Sequence, residues 1–533
     1  MRRYVGLLYP VLFAASLVLG IAARSAGQYR TADLALVLAV VVLVTALAEA
    51  AIFLVVRAVG RSDRAGPLAA AIAMLAVAWF YFYAPAQTAL ETVTYRFSRD
   101  AVLVPLGIAA TIGALAWLFR EPQGRLLGVN AFMGRFGVLL LAIVVLQAAL
   151  SQGRGSRVEK RSALARDLAR PLRVSAAPPP GRNTPPRDIY LIVLDGHANA
   201  RVLRKVLHFD NSRFEDSLRA LGFLIPRDVR SNYTQTVLSL PSLLNAAHVT
   251  QLSRDAGVTS IDYSLPKYLV ENNRAARFLK SRGYKYVLFP SAWWGITEHS
   301  PLADEEFDAR PEFRLGDEPR RTELRLAVTR STLLRYTMRR ERGDTLYYLR
   351  SFQGLSRMPA DPAPTFVFAH FLLPHIPYFF DERCRPLERP ISGAMEADTP
   401  EQRAAYIAQA RCVDGLVLDL VTTLLRESPT PPVILLVGDH GSRFTDPRYY
   451  DRPDSVPDAF IRERFGAFGA FYLPAGGGSA FTEPVTLVNV LGDVLRYYFS
   501  ADLPRSPDEM YVSGVRPYRF YQVDPRRYVG PED

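Results

Sequence analysis

The apolar run Ile189-Tyr-Leu-Ile-Val-Leu194, followed at once by Asp195-Gly196, decides the fold class of the larger part of this chain. A second run of the same kind, Val433-Ile-Leu-Leu-Val-Gly438, is followed by Asp439-His440-Gly441. Short continuous apolar runs are typical of parallel strands buried on both faces. Open α/β sheets place their chemistry just beyond the carboxyl ends of such strands, so both polar motifs are predicted to lie at one rim.

Apolar runs and helical patterns alternate from residue 188 onward. The predicted strands are 188–194, 284–289, 365–370, 432–438 and 468–473. The predicted helices between them include 211–221, 269–282 and 402–427. This alternation predicts a doubly wound α/β sheet with helices on both faces.

The first 152 residues have a different composition. They contain five long apolar segments, at roughly 4–23, 31–56, 66–86, 101–119 and 136–151. Four reach the length of about 20 residues that a membrane-spanning helix needs, and the last is marginal. Runs without a polar face, such as residues 34–44, argue against a soluble helical bundle. The sequence therefore predicts an all-α transmembrane bundle of five helices.

Basic residues in the short loops favour a cytoplasmic N-terminus, and five spans then place the C-terminal part outside the cytoplasm. We therefore predict a multi-pass protein of the inner (cytoplasmic) membrane, with a transmembrane domain at 1–152. A basic, proline-rich juxtamembrane linker follows at 153–187, in which Leu164, Leu168 and Leu172 suggest an interfacial helix. Residues 188–533 are predicted to be an extracytoplasmic catalytic domain.

The formal net charge of the chain is +12. Because the protein is predicted to be anchored in a membrane, we interpret this charge as a surface facing anionic lipid headgroups and exclude nucleic acid as a partner. The only cysteines, Cys384 and Cys412, both fall in the predicted external part. An external location permits a disulfide, but the sequence does not decide whether they pair.

The polar residues at the predicted rim suit a divalent metal. Asp195 and Asp439 offer hard oxygen ligands and His440 offers an imidazole, a set that favours Mn²⁺ or Zn²⁺ over Mg²⁺. An aspartate after a strand is often only the N-cap of the next helix, and Asp195 alone would be read in that way. The second aspartate at another strand end favours the functional interpretation.

A third polar stretch, Ser231-Asn-Tyr-Thr-Gln-Thr236, opens the apolar segment that runs to Asn245. This pattern is typical of a helix N-terminus, where exposed N–H groups attract anions. A threonine hydroxyl on this first turn, beside a metal, would be a nucleophile. The alternative is that the threonine only caps the helix. The residues alone do not decide between Thr234 and Thr236 as the nucleophile. Asn232, in the same stretch, is a predicted substrate contact.

Two histidines flank the end of the predicted strand 365–370. His370 and His375 are predicted to bind phosphate oxygens or to assist a leaving group. His375 is the preferred catalytic candidate because a proline stands on either side of Pro374-His-Ile-Pro377 and restricts its backbone. Arg443, close to the second ligand pair, is a further predicted substrate contact.

These motifs resemble those of the sulfatase-like branch of the alkaline phosphatase superfamily. The whole chain looks like its membrane-anchored members, the lipoteichoic acid synthase-like and phosphoethanolamine transferase-like proteins, which have five spans and an external metal-dependent domain. The resemblance of Asp439-His440-Gly441 and Asp195 to the family's metal-binding residues implies that Asp195, Thr236, Asp439 and His440 bind the metal. The spacing Thr236-Val-Leu-Ser239-Leu-Pro241 resembles that of the transferases and selects Thr236 as the nucleophile.

The chain also departs from these relatives. Sulfatases carry a cysteine or serine that becomes formylglycine, and a threonine at 236 cannot undergo that conversion. Gly196 stands where sulfatases have a second aspartate, and no histidine follows His440, unlike in the phosphoethanolamine transferases. Hydrolysis of sulfate esters is therefore not expected.

The resulting prediction is a metal-dependent enzyme that transfers a phospho-headgroup from a membrane phospholipid to an envelope acceptor through a phosphothreonine intermediate. The acceptor would be a lipid or a glycopolymer. One alternative is a hydrolase, a phosphodiesterase or phosphatase, that uses the same site with water as acceptor. The other is a relative without catalytic activity that binds an envelope polymer.

Overall fold

The computed structural model describes residues 7–24, 31–91, 99–175, 186–291, 296–307, 309, 324, 328–329, 331–336, 342–391, 398–445 and 452–529. The chain forms two compact units. One consists of Met1–Ser156 together with Leu315–Arg339, and the other of Arg157–Arg314 together with Arg340–Asp533. Leu324 and Val328, which the sequence assigns to the external domain, pack in an apolar core of the first unit.

Five apolar helices make up most of the described part of the first unit: α1 Tyr9–Arg24, α2 Thr31–Ala58, α3 Ala65–Glu91, α4 Arg99–Arg120 and α5 Gln123–Arg161. Four contain stretches long and apolar enough to cross a membrane: Asp33–Ala58, Ala65–Tyr83, Leu103–Arg120 and Gln123–Ala149. Helix α1 has 16 residues and falls short of the usual length. The sequence predicted the last helix as the marginal one, and the structure instead makes the first helix the short one.

The second unit is built on a six-stranded sheet in the order β4-β3-β5-β1-β8-β9. All neighbouring strands are parallel except β8 and β9, which are antiparallel. The strands of this sheet are β1 Ile189–Leu194, β3 Lys285–Phe289, β4 Glu305–Glu306, β5 Thr365–Phe371, β8 Val433–Gly438 and β9 Gly469–Tyr472. The shorter strands outside it are β2 Val229–Arg230, β6 Tyr378–Phe380, β7 Pro386–Ile391, β10 Val485–Thr486, β11 Met510–Val512 and β12 Tyr521–Val523.

Helices cover both faces of the sheet, as predicted. Side chains of β1 alternate between two cores, with Leu191 in one and Ile192 in the other. The first core adds helices α9 Thr236–Asn245, α10 Ser264–Glu271, α11 Arg274–Lys280 and α15 Leu487–Phe499. The second adds α8 Ser212–Ala220, α12 Arg342–Leu355 and α13 Pro400–Glu427. Helices α6 Ala163–Leu168, α7 Ala200–Leu207 and α14 Asp458–Phe465 complete the unit. The predicted doubly wound α/β class is confirmed.

The predicted juxtamembrane linker is only partly described, because residues 176–185 lie outside the described ranges. Within it, α5 continues to Arg161, and Ser162 then caps α6 by accepting a hydrogen bond from the Ala165 amide. Leu164 and Leu168 are buried in a core shared with Val237 of α9. These leucines therefore belong to the α/β unit and do not form the membrane-surface helix that the sequence suggested.

The strand order explains where the polar motifs meet. Strand β1 lies between β5 and β8, and Leu194 pairs in register with Phe371 on one side and Gly438 on the other. The residues that follow or end these three central strands consequently emerge at one edge of the sheet. This edge carries Asp195, His370 and the pair Asp439-His440.

Candidate active site

Three predicted metal ligands form a buried cluster at this edge. Ligand atoms of Asp195, Asp439 and His440 all lie within 4.8 Å of one another. The Nε2 atom of His440 is 3.4 Å from Asp439 Oδ2 and 3.7 Å from Asp195 Oδ1. Ligands that surround Zn²⁺ tetrahedrally at about 2.0–2.1 Å are separated by about 3.3 Å, so this spacing is close to that of a divalent metal site.

Glycines beside these ligands allow the strand ends to turn sharply. Gly196 has φ +69°, a left-handed conformation that a residue with a side chain rarely adopts, and its amide donates to Asp439 Oδ1 at 3.0 Å. A Cβ at Gly441 would lie 2.0 Å from the Glu463 carbonyl oxygen. The glycines of the two motifs are therefore required by a backbone turn at one position and by a close backbone approach at the other.

Thr236 is the first residue of α9, and its hydroxyl faces the cluster. Its Oγ1 atom is 3.2 Å from His440 Nε2 and 3.4 Å from Asp195 Oδ2. The hydroxyl of Thr234 instead points to Ser513, donating to its carbonyl and accepting from its amide at 3.4 Å. The structure thus brings Thr236 to the cluster and turns Thr234 away.

Hydrogen bonds at the Nδ1 atoms set which ring nitrogen of each histidine faces the site. In His440, Nδ1 lies 3.0 Å from the Gly441 carbonyl oxygen, and in His375 it lies 2.6 Å from the Ile376 carbonyl oxygen. A carbonyl only accepts, so both Nδ1 atoms carry the proton and both Nε2 atoms present a lone pair. His440 therefore has the tautomer that a metal ligand needs.

His370 and His375 both reach the cluster. His370 lies 2.8 Å through Nδ1 from Thr297 Oγ1, and its Nε2 atom is 3.5 Å from Asp195 Oδ2. The His375 ring centroid is 6.4 Å from that of His440, and its backbone amide donates to the Asp195 carbonyl. The buried Gln409 side chain fixes this loop by donating to the Pro374 and His375 carbonyls at 3.2 and 3.1 Å.

The two remaining predicted contacts differ. Arg443 lies near enough to His375 for its charge to lower the pKa of that ring, and its buried Nη1 atom has no hydrogen-bond partner among the residues that the structure describes. Asn232 is buried, but its amide donates to the Glu509 carbonyl and accepts from the Val488 amide, both at 2.9 Å. Both ends of the Asn232 side chain thus hold backbone segments together, and its contact with substrate stays a prediction.

Burial and close like charges separate the ionisation of the two carboxyl groups. Burial and the negative charge of Asp195 raise the pKa of Asp439 well above its usual range. Burial also disfavours ionisation of Asp195, but the nearby His375 and other imidazoles outweigh it, and the pKa of Asp195 is lowered. Burial lowers the pKa of His375 to about 4 and that of His440 well below its ordinary value. Burial thus favours the neutral form of both rings, and the mutual repulsion of the two carboxylates opposes their simultaneous ionisation.

The donor set fits a divalent cation. Within the described residues, Asp195 Oδ1, Asp439 Oδ2 and His370 Nε2 are buried atoms that have no hydrogen-bond partner. Buried polar atoms are almost always paired, so three of them in one cluster indicate a ligand. A bound dication would satisfy the two carboxylate oxygens and stabilise both carboxylates in the ionised form.

Sequence reasoning missed the buried residues that connect these loops. Arg464 donates through Nε to the Thr234 carbonyl and through Nη1 to the Gly441 carbonyl, at 2.8 and 2.9 Å. Glu463 accepts hydrogen bonds from the turn that follows His440. Both lie in an ordinary-looking amphipathic segment without a motif, so no pattern in a single sequence singles them out.

Cys384 and Cys412 form a disulfide with a Cα–Cα distance of 4.9 Å, which answers the question that the sequence left open. Disulfides persist in oxidising compartments and are rare in the cytosol. The bond joins the β6–β7 connection to α13 at the residue three positions after Gln409. It therefore lies close in sequence to the side chain that holds the His375 loop.

Comparison with known proteins gives similarity in structure only. No family model matches this chain, and no curated protein matches its sequence. The C-terminal periplasmic domain of EptC from Escherichia coli, in complex with zinc, is 14% identical, and the match covers 67% of this chain and 96% of that one with a TM-score of 0.43.

Two further matches have lower scores. The periplasmic domain of the phosphoethanolamine transferase EptC from Campylobacter jejuni is 12% identical over 58% of this chain and 89% of that one, with a TM-score of 0.35. The lipoteichoic acid synthase LtaP from Listeria monocytogenes is 11% identical over 69% of this chain and 88% of that one, with a TM-score of 0.38. At such identities the likeness concerns the fold alone.

Proposed function

We propose that this protein is a membrane-anchored, metal-dependent phosphotransferase in which Thr236 attacks the phosphodiester of a phospholipid headgroup. The observation that carries the proposal is the position of Thr236 Oγ1 on the first turn of α9, 3.2 Å from His440 Nε2 and 3.4 Å from Asp195 Oδ2. A capping threonine would instead turn its hydroxyl toward the amides of its own helix, and no such cap bond is present at the start of α9.

Asp195, Asp439, His440 and Thr236 would hold the divalent cation, for which the mixed oxygen and imidazole donors favour Mn²⁺ or Zn²⁺. When bound, the cation lowers the pKa of the threonine hydroxyl and neutralises charge that develops on the phosphoryl oxygens. The Nδ1 bond to the Gly441 carbonyl keeps the His440 ring in the required orientation.

The residues of the chain account for the bonds and the proton. A bond forms between Thr236 Oγ1 and phosphorus as the bond from phosphorus to the lipid glycerol oxygen breaks. The hydroxyl proton of Thr236 passes to solvent water, and the glycerol oxygen takes up a proton and leaves as a hydroxyl. An anionic phosphate close to His375 favours protonation of its Nε2 atom, which then binds a phosphoryl oxygen or supplies a proton to the leaving oxygen. His370 and the Nη1 atom of Arg443, which lacks a partner within the described part of the chain, would contact the other phosphoryl oxygens.

The amides at the start of α9 add to this anion binding. The first turn of a helix presents N–H groups without intrahelical partners and carries a partial positive charge. An attacking oxygen at this end of the helix therefore places the phosphate where those amides point. A second acceptor, a lipid or a glycopolymer, would then take the phospho-headgroup from Thr236.

Two observations support a location for the protein. Four helices have the length and composition of membrane spans, and the disulfide in the α/β unit suits an oxidising compartment. We propose a multi-pass protein of the cytoplasmic membrane, with membrane domain 1–152, connector 153–187 and extracytoplasmic catalytic domain 188–533. A protein anchored in this way has phospholipid donors in constant supply.

The test uses purified full-length protein, Mn²⁺ or Zn²⁺, and a phospholipid extract, followed by mass spectrometry of the peptide that contains Thr236. We expect an adduct on Thr236 whose mass identifies the headgroup. The adduct should disappear in Thr236→Ala and persist in Thr234→Ala, a matched control because that hydroxyl contacts Ser513.

Other outcomes separate the remaining hypotheses. Release of headgroup without an adduct in any condition, and without an acceptor, would identify water as the acceptor and replace the transferase by a hydrolase. Neither adduct nor release with any divalent metal would overturn the proposal in favour of a binding protein without catalytic activity.

A further inference from the structure

Two buried residues of opposite charge stand side by side at the end of α14. Glu463 is 0% exposed and Arg464 is 2% exposed. Removing charges from water costs several kcal/mol per ion unless hydrogen bonds compensate. The pair therefore marks a position where the fold uses strong, directional hydrogen bonds, and the partners of each residue show what those bonds hold.

Arg464 connects the segment of the nucleophile to the segment of the metal ligands. Its Nε atom donates to the carbonyl of Thr234, two residues before Thr236, at 2.8 Å. Its Nη1 atom donates to the carbonyl of Gly441, directly after His440, at 2.9 Å. Its own carbonyl accepts from the Gly441 amide at 2.8 Å, so Gly441 is held from both sides. One planar guanidinium thus sets the distance between two loops that share no direct covalent connection.

Glu463 acts on a different segment. Its Oε1 atom accepts from the Ser442 hydroxyl and the Phe444 amide, and its Oε2 atom accepts from the Thr445 amide, each at 2.6 Å. These three donors surround Arg443. A carboxylate with three charge-assisted hydrogen bonds fixes the turn and, through it, the position from which the Arg443 side chain extends.

We propose that Glu463 and Arg464 are two positioning residues with separate tasks, an inference that rests on the function proposed above. Arg464 places Thr236 relative to Asp439 and His440, and Glu463 places Arg443 against the anionic substrate. Neither side chain touches the substrate. Arg464 sets the geometry of the reacting atoms. Glu463 sets the affinity of the site for the phosphate.

The two tasks give two kinetic signatures. A displacement of about 1 Å between nucleophile and electrophile costs about 100-fold in rate. Arg464→Lys and Arg464→Gln, each of which cannot reach both carbonyls, should lower kcat by about this factor while KM changes little. Glu463→Gln loses an acceptor and should raise KM about tenfold while kcat changes little, because the turn that carries Arg443 loses a charge-assisted hydrogen bond. Ser442→Ala removes one of the three donors and should raise KM by a smaller factor.

A second measurement does not depend on turnover. Arg464 holds Gly441 next to the ligand His440, so Arg464→Lys should weaken Zn²⁺ binding about tenfold in competition with a chelating dye. Glu463→Gln should leave Zn²⁺ affinity within about twofold of the wild type, because its bonds begin one residue further along the chain. Full-length protein is used throughout.

The control for a purely structural role is Arg230→Lys. Arg230 is 5% exposed, and its side chain pairs with Asp228 and Asp508 rather than with a proposed metal ligand. It should lower thermal stability without altering kcat, KM or Zn²⁺ affinity of the folded protein. If Arg464→Lys and Glu463→Gln behave like this control, or share one kinetic signature, the inference is overturned. Wild-type protein that binds Zn²⁺ but releases no headgroup would refute the proposed function instead, and the Zn²⁺ titrations would still decide the role of Arg464.

Discussion

Replacing Gly441 by alanine gives the most direct test of how the metal-ligand loop is built. The added Cβ would lie 2.0 Å from the Glu463 carbonyl oxygen and 2.9 Å from the Gly466 carbonyl oxygen. Both neighbours are backbone atoms and cannot rotate away, so the loop itself must move by more than 1 Å to reach an ordinary contact of about 3.4 Å.

The cost follows from the contacts that this movement breaks. Overpacking costs about 1–3 kcal/mol, and the two hydrogen bonds between Gly441 and Arg464 contribute about 1 kcal/mol each. We therefore expect a loss of about 3–5 kcal/mol in the free energy of unfolding. At roughly 2 °C per kcal/mol for a unit of this size, the melting temperature should fall by about 6–10 °C. Because His440 precedes this glycine, Zn²⁺ affinity should fall as well.

The assay is thermal unfolding of the full-length protein in detergent, with and without Zn²⁺, alongside a competition titration of the metal. Gly415→Ala is the matched control, because Gly415 lies on the exposed side of α13 and a Cβ there meets nothing within 4 Å. This variant should gain about 0.5–1 kcal/mol from the better helix propensity of alanine. Equal melting temperatures and equal Zn²⁺ affinities for the two variants would refute the close backbone approach at Gly441.

Three further predictions address other parts of the α/β unit. Replacing Cys384 and Cys412 by serine should cost about 3–4 kcal/mol, the loop entropy for a separation of 28 residues, and a thermal scan of reduced wild-type protein should match the double variant. Zn²⁺ must displace the proton that Asp439 holds below its raised pKa, so Zn²⁺ affinity should rise with pH between the ordinary carboxyl pKa of about 4 and the raised pKa of Asp439. The rise should be at most about tenfold per pH unit. A pH-independent binding constant over that range would contradict the assignment of Asp439 as a ligand. Asn232→Ala should lower the melting temperature yet leave turnover per folded molecule unchanged, because the side-chain amide of Asn232 holds the Val488 and Glu509 backbones. A rise in KM would instead support Asn232 as a substrate contact.

The strands were predictable because each is a short, continuous apolar run. Residues 188–194, 284–289 and 432–438 were placed within one residue at either end. The predicted helix 269–282 is instead two helices, because Asn273 caps a new helix by accepting from the Ala276 amide. Strand β4 has only two exposed residues and left no pattern, and the antiparallel direction of β9 depends on chain connections that periodicity does not record.

The candidate site was predictable where its residues are tied to strand ends. Asp195, Asp439 and His440 follow β1 and β8, and adjacent parallel strands deliver their ends to one place. Arg464 and Glu463 reach the site from a helix near the end of the chain, through contacts to backbone carbonyls and amides. Such contacts depend on the tertiary fold and leave no trace in residue spacing, which is also why the structural use of Asn232 was not foreseen.

The threonine at the start of α9 has a consequence for how the protein becomes competent. Threonine is a genetically encoded residue, whereas a formylglycine forms only after a second enzyme oxidises the chain. If Thr236 is the nucleophile as proposed, the reacting group needs no such conversion, and the disulfide between Cys384 and Cys412 is the covalent bond that forms after translation. In the proposed reaction the folded and oxidised protein still needs the dication. The concentration of that ion in the envelope would therefore control the activity of protein that is already present.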